Sequence, residues 1–298
     1  MFGIKNLKQN IQLAPYTTYK IGGPADYFLK VHSKDELIEA VRAARNTYIP
    51  FFILGTGANI LIGDNGFRGL VIVNKADNFS FEGNLLRAES CATIASLIEA
   101  SAGRGLSGLE HYAGIPSSVG GALWQNLHFL SPDRTRTIFI EEIFNGATLL
   151  DEKEKVFNAD RDFFEFGYDT NILHRRSLVV LEAVFALTPK SKDDIYKQIE
   201  ANLLWRNEKQ PQLAEYPSCG SVFKKIKDIG AGRLIERAGL KGYQIGGAQI
   251  SEKHANYIVN CKLAKASDVR ALITHIQKIV HEHSGYMLEP EISFVGEF

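Results

Sequence analysis

Two glycine-rich stretches constrain this chain more than any other feature of its sequence. The first glycine stretch, LGTGANILIGDNGFRG, spans residues 54–69, and the second, AGIPSSVGGALWQN, spans residues 113–126. Glycine has no Cβ, so its backbone can take a positive φ and approach a ligand closely. Successive exposed N–H groups at such turns form concavities that hold phosphate. Two such stretches predict a large phosphate-bearing cofactor; the alternative is two tight turns between buried strands.

Composition and charge narrow the class of protein. The chain has 298 residues, which exceeds one typical domain and predicts two domains, or one large domain with a subdomain. Its formal net charge is +0, so we expect neither a broad nucleic-acid surface nor a membrane surface, and no obligatory protein partner is inferred. The cysteines are odd in number and widely spaced, which favours a reducing cytoplasm and no metal site; they are Cys91, Cys219 and Cys261.

The periodicity of apolar residues predicts mixed helices and strands, hence an α+β chain. Helices are predicted at 33–46, 92–103, 191–202 and 267–282, and strands at 48–54, 70–73 and in β-branched runs between 137 and 187. Ser33 and Glu36 form a predicted capping box at the start of the first helix. In the last predicted helix, five apolar residues share one face, namely Val269, Leu272, Ile273, Ile276 and Val280.

A polar stretch at residues 187–194 marks the predicted domain boundary. We therefore expect one domain at 1–190, with subdomains at roughly 1–75 and 76–190, and a second domain at 191–298.

The first glycine stretch matches a Rossmann fingerprint only in part. Gly55 and Gly57 match the first two glycines of GxGxxG, but Ile60 stands at the third. Glycine there allows close packing of helix on strand, which isoleucine would obstruct. No GxxxxGK[ST] loop is present either. Rossmann and P-loop folds are therefore disfavoured.

Four blocks of sequence carry a resemblance to a known family. They are TTYKIGGPADYF from Thr17, the first glycine stretch, GLSGLEHYAGIPSSVGGALWQN from Gly105, and a long C-terminal block from Arg206 that includes RNEKQP, SCGSVFKK and LEPEISFVGE. Together they closely resemble the UDP-N-acetylenolpyruvoylglucosamine reductases, bacterial flavoenzymes of peptidoglycan precursor synthesis. No extra loop with a substrate-clamping tyrosine is apparent, which is similar to the shorter subtype.

This resemblance implies both a fold and a cofactor. The fold is an FAD-binding fold of the vanillyl-alcohol-oxidase type, with two α+β subdomains, followed by a C-terminal α+β substrate-binding domain. The cofactor is FAD, whose pyrophosphate both glycine stretches would bind through backbone amides. The family usually has serine at position 58, so Ala58 removes one hydroxyl contact. The matching positions are Gly55, Gly57, Ala58, Asn59, Gly114, Ile115, Ser117, Ser118, Gly120, Gly121 and Asn126.

The resemblance also implies the chemistry. NADPH would reduce FAD, the flavin would pass a hydride to the enolpyruvyl β-carbon of a nucleotide sugar, and a proton would complete the reduction. Ser221 matches the proton-donating serine, and Glu291 matches the glutamate that stabilises the enol; without the motif, Ser221 would be a small turn residue. The implied substrate-binding residues are Tyr168, Arg206, Lys209, Lys224 and His254. As a lone histidine, His254 is otherwise a hydrogen-bonded structural residue.

Two segments depart from the family. Asp169 follows Tyr168, where the family has an arginine that faces the flavin and the substrate carboxylate, and Asn171 replaces a serine. Three explanations are open. Asp169 points away while Arg175, Arg134 or Lys224 takes over; Asp169 is protonated and donates a hydrogen bond; or the chain is an FAD-binding paralogue with a different acceptor or no catalysis.

The second departure follows Asn126. This chain continues with LHFLSPDRTRTIF, where the family has small residues and glycine, so a rearranged substrate wall is expected. A flavin oxidase of the same fold is a further alternative. Such enzymes often tether the flavin through histidine or cysteine, and neither glycine stretch contains one.

Overall fold

A computed structural model describes residues 6–226 and 229–298. Helices and strands alternate throughout, so the predicted α+β class is confirmed. None of the helices in these two ranges combines the length and apolar character that a membrane span requires. The helices are α1 Lys34–Asn46, α2 Ile94–Ala102, α3 Val119–Trp124, α4 Arg161–Phe164, α5 Lys192–Lys209, α6 Ala231–Arg237 and α7 Ala266–Ser284.

Most strands are short, and the longest have eight residues. In chain order they are β1 Lys8–Gln12, β2 Pro24–Val31, β3 Phe51–Leu54, β4 Ile60–Ile62, β5 Phe67–Asn74, β6 Phe79–Glu82, β7 Leu85–Glu89, β8 Leu106–Ser107, β9 His128–Leu130, β10 Thr137–Phe139, β11 Phe144–Leu150, β12 Val156–Ala159, β13 Val179–Ala186, β14 Thr188–Pro189, β15 Gln244–Ile245, β16 Ala248–Ile250, β17 Ile258–Asn260 and β18 Ser293–Val295.

The chain forms two compact units. Unit 1 contains residues 29–56 and 72–206, and unit 2 contains residues 7–28, 57–71 and the described part of 207–298. The change of unit near the C-terminal end of α5 comes later than the predicted boundary at 187–194. That boundary, and the domains drawn from it, stay a prediction.

Unit 1 is organised around a five-stranded antiparallel sheet of order β12-β11-β13-β7-β6. The central strand β13 is apolar except for Glu182 and is almost entirely buried, as expected for a strand with a neighbour on each side. Helices α2 and α3 contribute Leu97 and Leu123 to the same core, together with Tyr112 and Phe185. This core supports the second glycine stretch, because α3 begins within that stretch.

Unit 2 contains a three-stranded antiparallel sheet of order β15-β16-β17 and the long helix α7. Its core is formed largely by the apolar face of α7, and all five residues predicted to share that face are buried, which confirms the prediction. Strand β4, from the first glycine stretch, pairs in parallel with β18, with Ile60 opposite Ser293. The residues after Gly57 therefore form a strand, not the helix that a Rossmann fold requires.

Three local predictions differ from the structure in detail. At the start of α1, Ser33 accepts from the Glu36 N–H as predicted, but the Glu36 carboxylate accepts from the His32 N–H at 2.7 Å. The strand predicted from residue 48 begins at Phe51, because Tyr48 has a φ of +55° and is 94% exposed. The helix predicted at 191–202 continues to Lys209.

Asp64 holds the first turn of α7. Its carboxylate accepts from the Ala266 N–H at 2.7 Å and from the Ser267 N–H at 3.0 Å, two N–H groups that lack partners within the helix. Burial by itself would raise the pKa of Asp64, but hydrogen bonds from Ser267 and Ala266 outweigh it and lower the pKa. The ionised carboxylate is therefore the form that stabilises the fold.

We expect Asp64→Ala to lower the free energy of unfolding by about 1–2 kcal/mol at pH 7, the usual effect of losing a helix cap. Because the folded-state pKa is lowered, this contribution is complete above the unfolded-state pKa and disappears as pH falls through the folded-state value. Denaturant unfolding from pH 7 to pH 2 measures it. The exposed Glu215→Ala is the matched control. A difference between wild type and Asp64→Ala that persists in acid would contradict this role.

Candidate active site

The first glycine stretch leaves its backbone donors available. The N–H groups of Gly55, Thr56, Gly57 and Ala58 donate to no backbone carbonyl among the described residues. Gly57 has a φ of +65°, and a Cβ there would lie 2.5 Å from the Tyr16 carbonyl oxygen, so a side chain is excluded. Four consecutive N–H groups without a carbonyl acceptor form the kind of concavity that binds phosphate.

The second glycine stretch uses most of its N–H groups internally. Ile115 donates to Tyr112, Ser117 to Ile115 and Gly120 to Ser90, each to a carbonyl oxygen at 2.8–3.0 Å. The Ser118 hydroxyl caps α3 by accepting from the Gly121 N–H at 3.3 Å. These predicted cofactor residues therefore shape the turn.

Two donors of the second glycine stretch remain. The N–H groups of Gly114 and Ser118 have no backbone carbonyl acceptor in the described part of the chain. Within unit 1 the two glycine stretches are also tied together, since the Thr56 hydroxyl donates to the Pro116 carbonyl at 3.0 Å. The donors that unit 1 offers to an anion are thus Gly55, Thr56, Gly114 and Ser118.

Arg206 lies against the second glycine stretch. A Cβ added at Gly114 would lie 2.9 Å from its Nε atom, and its guanidinium stacks on the Phe129 ring at 5.6 Å. Helix α5 brings Arg206 there because Asn202, fully buried, donates to the carbonyls of Glu110 and His111. The structure therefore places this predicted substrate residue beside a predicted cofactor residue. Lys209, by contrast, is exposed and pairs with its neighbour Glu208.

Asp169 is buried and faces the end of α3. It has a φ of +51° and is 7% exposed. The Gln125 side chain donates to its Oδ1 at 3.2 Å, and Nδ1 of His128 lies 3.8 Å from the same oxygen. The Tyr168 ring packs on the His128 imidazole at 4.8 Å between centroids. Asp169 therefore makes polar contacts within unit 1.

Two asparagines brace the loop that carries Asp169. Asn126 donates to the Gly167 carbonyl at 3.1 Å and accepts from the Glu141 N–H at 3.4 Å. Asn171 donates to the carbonyls of Leu123 and Trp124 at 2.7 and 3.0 Å. Both side chains act on the backbone, which gives Asn126 a bracing role besides the cofactor role predicted for it.

The three basic residues predicted to substitute for the family arginine have other partners. Arg175 pairs with Glu165 on the surface. Lys224 pairs with Glu289 at 2.5 Å. Arg134 stacks on Trp205 at 4.8 Å and donates weakly to Asn202.

Sequence reasoning missed the residues that do contact Asp169, namely Gln125 and His128. The signal in the sequence was that two segments, at 127–139 and 168–171, both depart from the family pattern. The structure shows that they meet at His128 and Asp169.

In unit 2, Ser221 and Glu291 lie on neighbouring backbone segments. Ser221 forms a β-bridge with Tyr257, and Val222 donates to the Asn256 carbonyl at 2.9 Å. On its other side, the Val222 carbonyl accepts from the Glu291 N–H at 2.9 Å. The segment at 221–224 is therefore the middle of a three-segment backbone ladder, the catalytic ladder. It brings together the two residues predicted as catalytic.

Glu291 is half-buried, and its charge acts on a buried thiol. Cys219 is buried, and burial raises the pKa of its thiol, with the negative charge of Glu291 raising that pKa further. Tyr19 is also fully buried and donates to the Ile258 carbonyl at 2.9 Å. Burial raises the pKa of Tyr19 as well, with a further contribution from Cys219. Cys219 and Tyr19 therefore stay neutral.

His254 supports the catalytic ladder through contacts with Asn256 and Tyr257. Its Nδ1 accepts from the Asn256 N–H at 3.3 Å, and its ring packs edge-on against Tyr257 at 4.9 Å. Asn256 in turn exchanges two hydrogen bonds with the Phe223 backbone, at 3.0 and 2.8 Å. These contacts fit the structural interpretation of a lone histidine. Among the described residues no cluster of His, Cys, Asp or Glu could hold a metal ion.

Comparisons with known proteins identify two parts of the chain. Residues 25–159 match the model of an FAD-binding domain, and residues 210–295 match that of the C-terminal domain of UDP-N-acetylenolpyruvoylglucosamine reductase. Proteins named UDP-N-acetylenolpyruvoylglucosamine reductase from Caldicellulosiruptor bescii and Clostridium botulinum are 41% and 34% identical to this chain. The alignments cover 99% and 98% of this chain and 92% and 93% of those proteins.

A solved structure shares the whole fold. The crystal structure of UDP-N-acetylenolpyruvylglucosamine reductase from Thermus caldophilus superposes with a TM-score of 0.80 at 28% identity, covering 96% of this chain and 97% of the other. The resemblance carried by the four sequence blocks is therefore confirmed, as is the FAD-binding fold that it implied. This chain belongs to the UDP-N-acetylenolpyruvoylglucosamine reductase family.

Proposed function

We propose that this chain is an FAD-dependent oxidoreductase that reduces the enolpyruvyl group of UDP-N-acetylglucosamine enolpyruvate to UDP-N-acetylmuramate. NADPH is the hydride donor, and the product enters peptidoglycan synthesis in the cytoplasm, where it serves cell-wall growth, shape and division. The observation that carries the proposal is the catalytic ladder, which places Ser221 and Glu291 on adjacent segments. The three cysteines are free thiols, in keeping with a reducing compartment.

The residues present fit an FAD pyrophosphate. Within unit 1, the N–H groups of Gly55, Thr56, Gly114 and Ser118 are donors that lack a carbonyl acceptor in the described chain. A Cβ at Gly57 would collide with backbone. When bound, FAD would accept a hydride from NADPH and deliver one to the substrate.

The chain's own residues manage the proton and the developing charge. Hydride addition to the β-carbon leaves an electron pair on the α-carbon, delocalised into the adjacent carboxylate as an enolate. The Ser221 hydroxyl gives its proton to the α-carbon, which completes the C–H bond of the lactyl ether, and the Ser221 alkoxide regains a proton from solvent before the next turnover. Glu291 stabilises the enol at that stage, because a preorganised polar group lowers the energy of the developing charge. Arg206 provides positive charge for the substrate diphosphate.

Asp169 serves the loop and not the substrate carboxylate. Its Oδ1 accepts from Gln125 and faces His128, so the side chain is committed within unit 1. This supports a substrate site whose contacts differ from those of the family around His128 and Tyr168. The alternative is an inactive FAD-binding paralogue, which would show no reduction of the nucleotide sugar in a turnover assay.

Turnover is the direct test of the proposed function. The purified flavin-loaded protein is mixed anaerobically with NADPH and the enolpyruvyl nucleotide sugar, and absorbance at the nicotinamide band is followed. We expect NADPH loss that continues until the nucleotide sugar is consumed. Loss that stops after one equivalent per flavin would show a flavoprotein with another acceptor, and would refute the proposal.

Ser221→Ala should slow reoxidation of the reduced flavin by the nucleotide sugar about 10²–10⁴-fold, the usual contribution of a positioned proton donor. Reduction of the flavin by NADPH should stay at the wild-type rate, since that step needs no proton from Ser221. Stopped-flow absorbance of the flavin separates the two half-reactions. Ser218→Ala, the same change at a buried serine three residues earlier in the chain, is the matched control. Undiminished reoxidation in Ser221→Ala would remove the assignment.

Two substitutions, Asp169→Asn and Asp169→Arg, test whether Asp169 holds its loop or whether the site simply lacks the family arginine. Asparagine tolerates a positive φ, so we expect Asp169→Asn to change turnover by less than about threefold, or about 0.7 kcal/mol. Asp169→Arg would bury an unpaired charge beside His128, and should lower the free energy of unfolding by about 3 kcal/mol without raising turnover. Steady-state rates and thermal unfolding measure both effects. A tenfold gain in turnover for Asp169→Arg would show that the family arginine is simply missing.

A further inference from the structure

Asn59 contacts the main chain of Glu291. Its side-chain Nδ2 donates to the Glu291 carbonyl oxygen at 3.1 Å, and its own carbonyl accepts from the Ser293 N–H at 3.0 Å. The parallel pairing of β4 with β18 begins at the next residue, with Ile60 opposite Ser293. The Asn59 side chain therefore extends the β4–β18 ladder beyond its last regular pair, as far as Glu291.

Both backbone polar groups of Glu291 are held. Its N–H donates to Val222 on the segment that carries Ser221, and its carbonyl accepts from Asn59. The first bond is made between main chains and is independent of side-chain identity. The second is made by a side chain, so a single substitution can remove it without altering the strands.

We propose that Asn59 is a positioning residue for Glu291, in addition to any contact it makes with FAD. This rests on the proposed function, in which Glu291 acts on the enol. Without the Asn59 donor, the segment at 289–292 keeps its bond to Val222 but loses its link to the end of β4. A catalytic group misplaced by about 1 Å can cost about 10²-fold in rate. Asn59 acts through Glu291 and needs no contact with the reacting carbons.

The test compares Asn59→Ala with Asn65→Ala, an exposed asparagine in the same glycine stretch. Because Asn59 is also a predicted FAD-binding residue, Asn59→Ala is compared with wild type at full flavin occupancy, and the rate of flavin reduction by NADPH is measured alongside. The limiting rate of reoxidation by the nucleotide sugar should fall about 10–100-fold, with its half-saturating concentration changed by less than about threefold. Asn59→Gln, which retains an N–H donor, should recover part of the rate. Asn65→Ala should match wild type throughout.

A double variant shows whether Asn59 acts through Glu291. Because residues that act as a unit are non-additive, Asn59→Ala combined with Glu291→Gln should reoxidise no more slowly than Glu291→Gln alone. Additive losses would overturn the proposal. So would a slower flavin reduction or lost flavin with normal reoxidation, which would make Asn59 a residue of the cofactor alone. A lower melting temperature with unchanged rates would make it merely structural.

Hydrogen exchange keeps this inference separate from the proposed function. If the wild-type flavin is not reoxidised by the nucleotide sugar, the proposed function fails, yet the positioning contact can still be examined. In Asn59→Ala, amide exchange should quicken in the peptide that contains Glu291 and stay unchanged in the peptide that contains Asn65. Unchanged exchange at Glu291 would mean that the Asn59 side chain does not hold that segment.

Discussion

The proposed chemistry depends on the hydrogen bond from the Glu291 N–H to the Val222 carbonyl. It joins two segments that are far apart in sequence and places Glu291 beside Val222, the residue that follows Ser221. Asn256 secures the other side of that segment, and Asn59 secures the other side of Glu291. Because backbone groups and two side-chain amides make these bonds, the backbones at Ser221 and Glu291 are held before any substrate arrives. In the proposed mechanism, such preorganisation allows weakly acidic groups to act on a short-lived enolate.

Much of unit 2 could be predicted from the sequence, because its organisation follows local rules. The spacing of Val269, Leu272 and Ile276 determines which face of α7 is buried, and no distant residue changes that. The partner that begins the helix could not be predicted in this way. Asp64 comes from the first glycine stretch and reaches the N–H groups of Ala266 and Ser267 only through the tertiary fold. Capping by a distant side chain leaves no signal near the helix.

The glycine stretches show where motif matching reaches its limit. Both match the family pattern, yet residues 55–58 keep their N–H groups away from backbone acceptors, whereas Ile115, Ser117 and Gly120 donate to neighbouring carbonyls. The first is suited to bind an anion, and the second mainly builds the turn. Likewise, Asp169 stands out in the sequence as a reversed charge. That it meets His128, from the other segment that departs from the family, required the fold, since contacts between loops depend on how the intervening strands pair.

In the proposed mechanism, the proton comes from a fixed donor, Ser221, on one face of the enol. Running the reduction in D2O and analysing the product by NMR tests this most directly. We predict one deuterium at the lactyl α-carbon, in a single configuration. Deuterium in both configurations at the α-carbon would mean that bulk water protonates the intermediate, and would contradict a site built around the Ser221–Glu291 pair.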